Sequence, residues 1–446
     1  MAGRPLGPIR PGGIAVALLL SAAPAARTQQ PNWSGIPAVD SASAARSAWR
    51  DAGRALRAGD TVAAGQAVSR AASAWPTQPG YLMGRAQLSA LLGDDAALAD
   101  ALRRLARLEA GAALLSDSAV ASRAAMSPAV RAAREDLERR TAPRAGSTPF
   151  ATIPDTTVWA EGVDADPRTG RLYVGSIRHR TVLELGTGGR VRDLGLGRDS
   201  RVGSVMGVRV DPRGGVVWVT TVGLPQMEGF APADTTIAAL LRVRIADGVI
   251  ERRWDLPAEA AGHVPGDLAI GPRGDVFVTD SRAPVVYRLR LGADTLERLT
   301  HPLFHSLQGV AVTPDGAALY VADYSHGLLR VDLATGTAQR LEDAPGTTSL
   351  GLDGIVFYRG AIVGVQNGVS PPRIARFTLS ADGRRIVRAE VLDRNLPLAD
   401  EPTIGTLLGD AFVYVANSQW EKYDDDGRRR PGTALAPTVL LSLRLQ

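Results

Sequence analysis

The sequence predicts a mainly β fold, a six-bladed β-propeller preceded by a small all-α helical-repeat region. Three observations carry this prediction. First, a short unit recurs six times: a variable residue, a small hydrophobic strand, a Pro/Gly turn and a second hydrophobic strand. The copies begin at Glu161, Met206, Gly266, Gln308, Asp353 and Ile404, spaced 45, 60, 42, 45 and 51 residues apart. A near-regular period of this length, built of strand-turn-strand units, marks a radially repeated sheet. Second, Val, Ile, Leu and Tyr alternate with polar residues at period two inside each unit, as half-buried strands require. Third, residues 41–140 shift to Ala, Leu and Arg at helical spacing.

Length and composition set the outer limits. With 446 residues and 45% hydrophobic content, the chain is long enough for two or three packed units. Of 51 basic residues only Lys422 is lysine, and 46 acidic residues hold the net charge to +5. No basic run is interleaved with aromatics, so nucleic acid is not an expected partner. The chain has no cysteine, which excludes disulfides, thiolate metal sites and cysteine nucleophiles.

At the start, Arg4 and Arg10 precede an apolar run over 14–20 and a small-residue stretch over 21–26. This pattern reads as a signal peptide over 1–26, followed by a linker over 27–40. The expected mature protein is exported, periplasmic or extracellular, and has no membrane span. In the helical region, Gly59 and Gly93 stand 34 residues apart, each followed by an Asp suited to starting a helix. The small residues Ala63, Ala67 and Ala71 let a helix pair approach closely. This helix-turn-helix period resembles tetratricopeptide repeats. About two units are visible, followed by one further helix over 127–140. The segment is either a spacer packed on the propeller or a groove for a protein partner.

Residues 141–149 read as a linker and 150–446 as the propeller. The third unit shows four strands, over 268–270, 276–279, 285–291 and 295–299. The last unit shows three, over 406–408, 412–416 and 438–445. Residues 150–153 are expected to supply its outer strand, closing the ring and removing an exposed edge.

In such a ring the innermost strand begins at the channel mouth, so the six variable residues should line it. All five histidines fall on loops that open on that face. His263, His301 and His305 precede an innermost strand, while His179 and His326 follow a second strand. His179, His263 and His305 are candidate substrate-binding residues, through proton relay or contact with an acidic ligand. Two long insertions belong to the same face, over 224–233 and 417–426. Their Met227, Phe230, Trp420 and Tyr423 either offer an apolar or sugar-stacking surface, with Trp420 the leading contact, or pack down on a neighbouring blade.

The run 161–175, EGVDADPRTGRLYVG, resembles the first blade of the regucalcin/gluconolactonase family. So do 314–323, PDGAALYVAD, and 352–355, LDGI. The resemblance spans roughly residues 150–446, and the repeat is shared with strictosidine-synthase-like and paraoxonase-like propellers. It implies a six-bladed ring with a divalent cation at the mouth. The cation is held by a first-blade Glu, third- and fourth-blade Asn residues and a fifth-blade Asp that also serves in catalysis. Matched by motif, the Glu falls on Glu161 and the Asp on Asp353. The fourth-blade Asn falls on Gln308, which keeps an amide oxygen on a longer arm. The third-blade Asn falls on Gly266, which has no side chain, and strand alternation aims the following Asp267 elsewhere.

Two carboxylates and an amide oxygen suit a hard cation such as Ca²⁺. Otherwise Glu161 and Asp353 pair with arginines or water. No nucleophile elbow, phosphate loop or paired-histidine zinc motif appears. The expected function is that of an exported, gluconolactonase-like, divalent-metal-dependent hydrolase of lactone or ester bonds, acting on a small molecule, with Asp353 as base. The alternative is a non-catalytic propeller that binds a ligand or protein, with the helices as scaffold.

Overall fold

A computed structural model describes residues 41–445 apart from Thr187, and the chain divides into two compact units between Arg140 and Thr141. The expected leader and the linker after it, 1–40, lie outside the described residues. No helix among the described residues is long and apolar enough to cross a membrane.

The first unit is helical. Its helices are α1 (Ser41–Arg57), α2 (Thr61–Ala74), α3 (Pro79–Leu92), α4 (Asp95–Arg107), α5 (Ser118–Met126) and α6 (Pro128–Thr141). The Gly-Asp steps act as expected. The Asp60 and Asp94 carboxylates accept the backbone N–H of Ala63 and Ala97, at 2.8 and 2.9 Å, and so cap α2 and α4. Buried Ala45, Ala48 and Ala52 of α1 and Ala64, Ala67 and Ala71 of α2 make the close helix pair. One expectation is corrected. Where the sequence shows two units and a single further helix, the structure has two further helices, α5 and α6. Asp117 starts α5 by accepting from Ala119 and Val120. With only nine residues and few large apolar side chains, α5 has little periodicity to detect.

The second unit is six four-stranded antiparallel sheets. Blade 1 is β2 (Ala160–Ala165), β3 (Leu172–Ser176), β4 (Thr181–Leu185) and β5 (Val191–Asp193). Blade 2 is β6 (Ser204–Val210), β7 (Val216–Val222), β8 (Ala238–Arg244) and β9 (Ile250–Asp255). Blade 3 is β10 (Pro265–Ile270), β11 (Val276–Asp280), β12 (Val285–Leu289) and β13 (Glu297–Leu299). Blade 4 is β14 (Leu307–Val312), β15 (Ala318–Asp323), β16 (Gly327–Asp332) and β17 (Ala338–Arg340). Blade 5 is β18 (Ile355–Tyr358), β19 (Ala361–Gln366), β20 (Arg373–Leu379) and β21 (Ile386–Arg394). Blade 6 is β22 (Gly405–Leu408), β23 (Ala411–Val415) and β24 (Thr438–Arg444), completed by β1 (Ser147–Ile153).

The expected closure is present, since β1 pairs antiparallel with β24, from Ser147 opposite Leu443 to Ile153 opposite Thr438. This strand begins three residues inside the stretch read as linker. The innermost strands pack in the cycle β2, β6, β10, β14, β18, β22 and back to β2, which surrounds the channel.

The glycine that follows the variable residue in every blade but the third, where Asp267 stands, has a packing cause. A Cβ on Gly162 would run into the Met206 carbonyl, and one on Gly309 into that of Asp353. Neighbouring innermost strands therefore cross where only glycine fits. Apolar side chains fill the seams between blades, as where Val205 and Val208 of blade 2 join Tyr173 and Val182 of blade 1.

Candidate functional site at the channel mouth

The strand ladder breaks where most of the variable residues sit, and of these residues the apolar Met206 and Ile404 are buried. Ala160 pairs with Ser176 and Val163 with Val174, so Glu161 and Gly162 bulge out between them. The register also shifts around Met206, Gly266 and Gln308. A bulge leaves a residue unpaired and re-aims its side chain. Asp353 and Ile404 precede the first paired residue of their blades, Ile355 and Gly405.

Glu161 and Asp353 come together through a residue the sequence reading passed over. The Thr403 hydroxyl lies 2.9 Å from Glu161 Oε1 and 3.0 Å from Asp353 Oδ2. Trp420 Nε1 donates to Glu161 Oε2 at 2.7 Å. Asn367 Nδ2 donates to Asp353 Oδ2 at 2.8 Å and to the Pro402 carbonyl at 2.9 Å. The Tyr324 hydroxyl donates to Asn367 Oδ1 at 3.1 Å. Six side chains thus form one hydrogen-bonded path: Trp420, Glu161, Thr403, Asp353, Asn367 and Tyr324.

Glu161 is buried and Asp353 half-buried. Burial, followed by the Asp353 charge, pushes the Glu161 carboxyl above its ordinary range. Burial also raises Asp353, against the pull of its bonds from Asn367 and Thr403. Glu401 stands close enough for its charge to act on Glu161. Burial, then the charge of Glu421, pushes Glu401 up to about 7.

A second layer lies deeper on the same strands. Arg209 Nη2 sits 3.0 Å from Asp267 Oδ1, and its Nη1 donates to the Val163 and Val208 carbonyls at 3.2 and 2.9 Å. Asp267 also accepts from the Leu268 and Val310 N–H groups at 2.8 and 3.3 Å. Asp164 accepts from Val210 N at 2.7 Å and from the Thr406 hydroxyl.

The other expected site residues go to different places. Gln308 donates through Nε2 to Ser306 Oγ at 3.4 Å. Its Oε1 faces the gap left by Gly266, where a Cβ would meet that oxygen at 3.9 Å and nothing else within 4 Å. His263 gives Nδ1 to the buried Asp280 at 2.7 Å. His305 stacks on His326 with ring centroids 4.1 Å apart, and His326 Nδ1 lies 3.3 Å from Asp323. His179 lines a cavity of about 790 Å³ in blade 1, between Asp155 at 3.3 Å and Glu228 at 3.6 Å. That lining includes neither Glu161 nor Asp353. All five histidines occupy the two expected loop classes.

Of the two alternatives for the insertions, packing down accounts for most of their apolar residues. Tyr423 stacks on Trp159 at 4.1 Å, and both Tyr423 and Met227 are buried. Trp420 meets Trp159 edge-on at 5.0 Å and is the insertion aromatic bonded to the acid pair. The two insertions touch, with Gln226 Nε2 donating to the Asp425 carbonyl at 3.4 Å.

Three members of the path, Thr403, Asn367 and Tyr324, were not anticipated. Asn367 and Tyr324 directly follow the second strands β19 and β15, the loop class used to single out His179 and His326. Thr403 sits one residue ahead of the repeat column and carries no signal of its own.

The donor set fits a hard cation in type. Among the described residues neither Glu161 nor Asp353 forms an ion pair with an arginine, lysine or histidine. Carboxylate and amide oxygens are of the kind such ions take, but among the described residues no group of three or more His, Cys, Asp or Glu is placed to hold a metal ion. Gly266 contributes nothing to the set.

No protein-family model matches the chain, and no curated protein does. Among solved structures the chain is similar to a streptogramin B lyase, at 15% identity and a TM-score of 0.44, over 67% of this chain and 97% of that one. It is also similar to regucalcin from Agrobacterium tumefaciens, described as a calcium-binding protein, at 18% identity and a TM-score of 0.44, over 67% and 96%. A gluconolactonase from Xanthomonas campestris matches at 16% identity and a TM-score of 0.43, over 68% and 98%. At these identities the likeness concerns the fold alone.

Proposed function

We propose that the mouth is the active site of an exported, gluconolactonase-like, divalent-cation-dependent hydrolase of lactone or ester bonds. The observation that carries this reading is the pair of buried Glu161 and half-buried Asp353, held only by neutral donors. One hydroxyl proton on Thr403 can bond only one of the two carboxylates at a time. The pair therefore lacks positive charge, and Ca²⁺ is the first candidate to supply it. Glu161, Asp353 and Gln308 Oε1 would hold the ion. A bound cation supplies Lewis-acid polarisation of a scissile carbonyl.

The chain's own residues do the rest. Thr403 and Asn367 both bond Asp353 Oδ2, which leaves Oδ1 to take a proton from an attacking water. The Trp420 roof covers Glu161 and limits water on that side. Export rests on the leader pattern at 1–26, and the helical pairs are assigned to a protein partner or a scaffold. Gly266 favours a second reading, a non-catalytic propeller that binds its ligand at the same face. Calorimetric titration of the purified chain with Ca²⁺, Zn²⁺ and Mn²⁺ separates the two. Micromolar binding that both Glu161→Ala and Asp353→Ala abolish is expected, followed by turnover in a lactone and aryl-ester panel. No binding by the wild type rules out the hydrolase mechanism.

A further inference from the structure

We propose that Thr403 is a positioning residue that fixes the placement of Glu161 relative to Asp353; its consequence for ion binding rests on the cation reading above. The contributions of the path members differ. Trp420 bonds only Glu161 of the pair, and Asn367 bonds only Asp353. Thr403 alone among the described residues has its hydroxyl within hydrogen-bond distance of both, at 2.9 and 3.0 Å, donating to one and accepting from the other when that carboxyl carries a proton. The two carboxylate oxygens therefore stand no farther apart than the sum of those distances.

Thr403 is built to hold such a position. It is buried at 2% exposure. Its backbone N–H donates to the Val415 carbonyl at 3.1 Å, and Val415 N donates back to the Ile404 carbonyl at 3.1 Å. The residue is thus pinned to β23 just ahead of the innermost strand of blade 6. A β-branched side chain also restricts χ1, so the hydroxyl direction follows the backbone. Glu161 belongs to blade 1 and Asp353 to blade 5, the two neighbours of blade 6. Thr403 places the oxygens of one from the backbone of that shared neighbour, and those of the other from the same atom.

The test uses the full chain with Thr403→Val, which keeps the shape and removes the hydroxyl, and Thr403→Ser, which keeps the hydroxyl. Two measurements are made: calorimetric titration with Mn²⁺ and Ca²⁺, and the indole N–H resonance of Trp420 in cation-free protein, assigned by its loss in Trp420→Phe. Thr403→Val should weaken cation binding by about tenfold or more, the usual effect of losing a residue that orients a ligand, with Thr403→Ser close to wild type. It should also shift the Trp420 resonance, because Glu161 loses its second anchor, while Thr403→Ser leaves the resonance in place. If the wild type binds cation and Thr403→Val binds it equally well, the positioning role is overturned and the cation reading stands. If the wild type binds none, the cation reading falls and the resonance decides the role alone, an unmoved signal in Thr403→Val overturning it. Should the valine chain fail to fold, Thr403→Ala is put to the same two measurements.

Discussion

At the mouth, Glu161 and Asp353 are held by Thr403, Trp420 and Asn367, all neutral donors. One layer down the same strands, Asp164 and Asp267 are held by backbone N–H groups, a hydroxyl and the Arg209 guanidinium. The lower layer is a structural tie. Arg209 spans the innermost strands of blades 1, 2 and 3 through Val163, Val208 and Asp267, and Asp267 reaches on to Val310 of blade 4. The upper layer lacks such a counter-charge, so positive charge must come from outside the chain or from protons. The difference separates a residue set that keeps the ring together from one that is available for chemistry.

The two layers should therefore respond to loss of charge to very different extents. Arg209→Ala leaves a buried carboxylate without its partner, and the expected loss is about 3–5 kcal/mol of stability by urea denaturation. A loss under about 1 kcal/mol would show that the lower layer is solvated, and the contrast would collapse. In the mouth, Glu161→Gln should cost far less in cation-free protein, since it removes a charge that has no ionic partner. The same substitution should abolish the cation-induced rise in melting temperature, which in the wild type corresponds to about 2.7 kcal/mol at a hundredfold excess over Kd. Equal melting-temperature rises in both proteins would place the ion elsewhere.

How much of this was legible depends on what each residue must repeat. The mouth column could be read because every blade places one residue there, and because the following glycine is forced by the next strand, as at Gly162 and Gly309. Ring closure by β1 was legible because the sixth unit lacked a strand. The bulges that aim Glu161 and Gln308 leave no mark in the composition. Thr403 could not be read either, and Asn367 was marked by its loop class alone. Each belongs to one blade only, and each acquires its role by meeting a side chain from another part of the ring. Arg209 with Asp267 is the same case, a contact between residues 58 positions apart with no shared motif. His263 shows the converse. Its position was legible, but its partner, the aspartate at the end of β11, makes the ring a tie for the loop that precedes β10.

The smallest effect expected concerns Glu401, which belongs to the upper layer by its charge and to the blade 6 insertion by its bonds. Its carboxylate accepts the Glu421 N–H at 3.1 Å, in the turn that carries Trp420. Burial, then the Glu421 charge, lifts it from an ordinary 4.5 to about 7 in the folded protein. A raised carboxyl favours the folded state while it stays protonated. Its contribution is therefore complete below pH 4.5 and is lost as the pH rises through about 7. Glu401→Gln should flatten that part of the pH profile, melting close to wild type at pH 5 and above it at pH 8. Part of the gain passes through Glu161, whose carboxyl the Glu401 charge also raises. If the two proteins keep the same difference in melting temperature at both pH values, Glu401 is not buried with the acid pair. The upper layer would then consist of Glu161 and Asp353 alone.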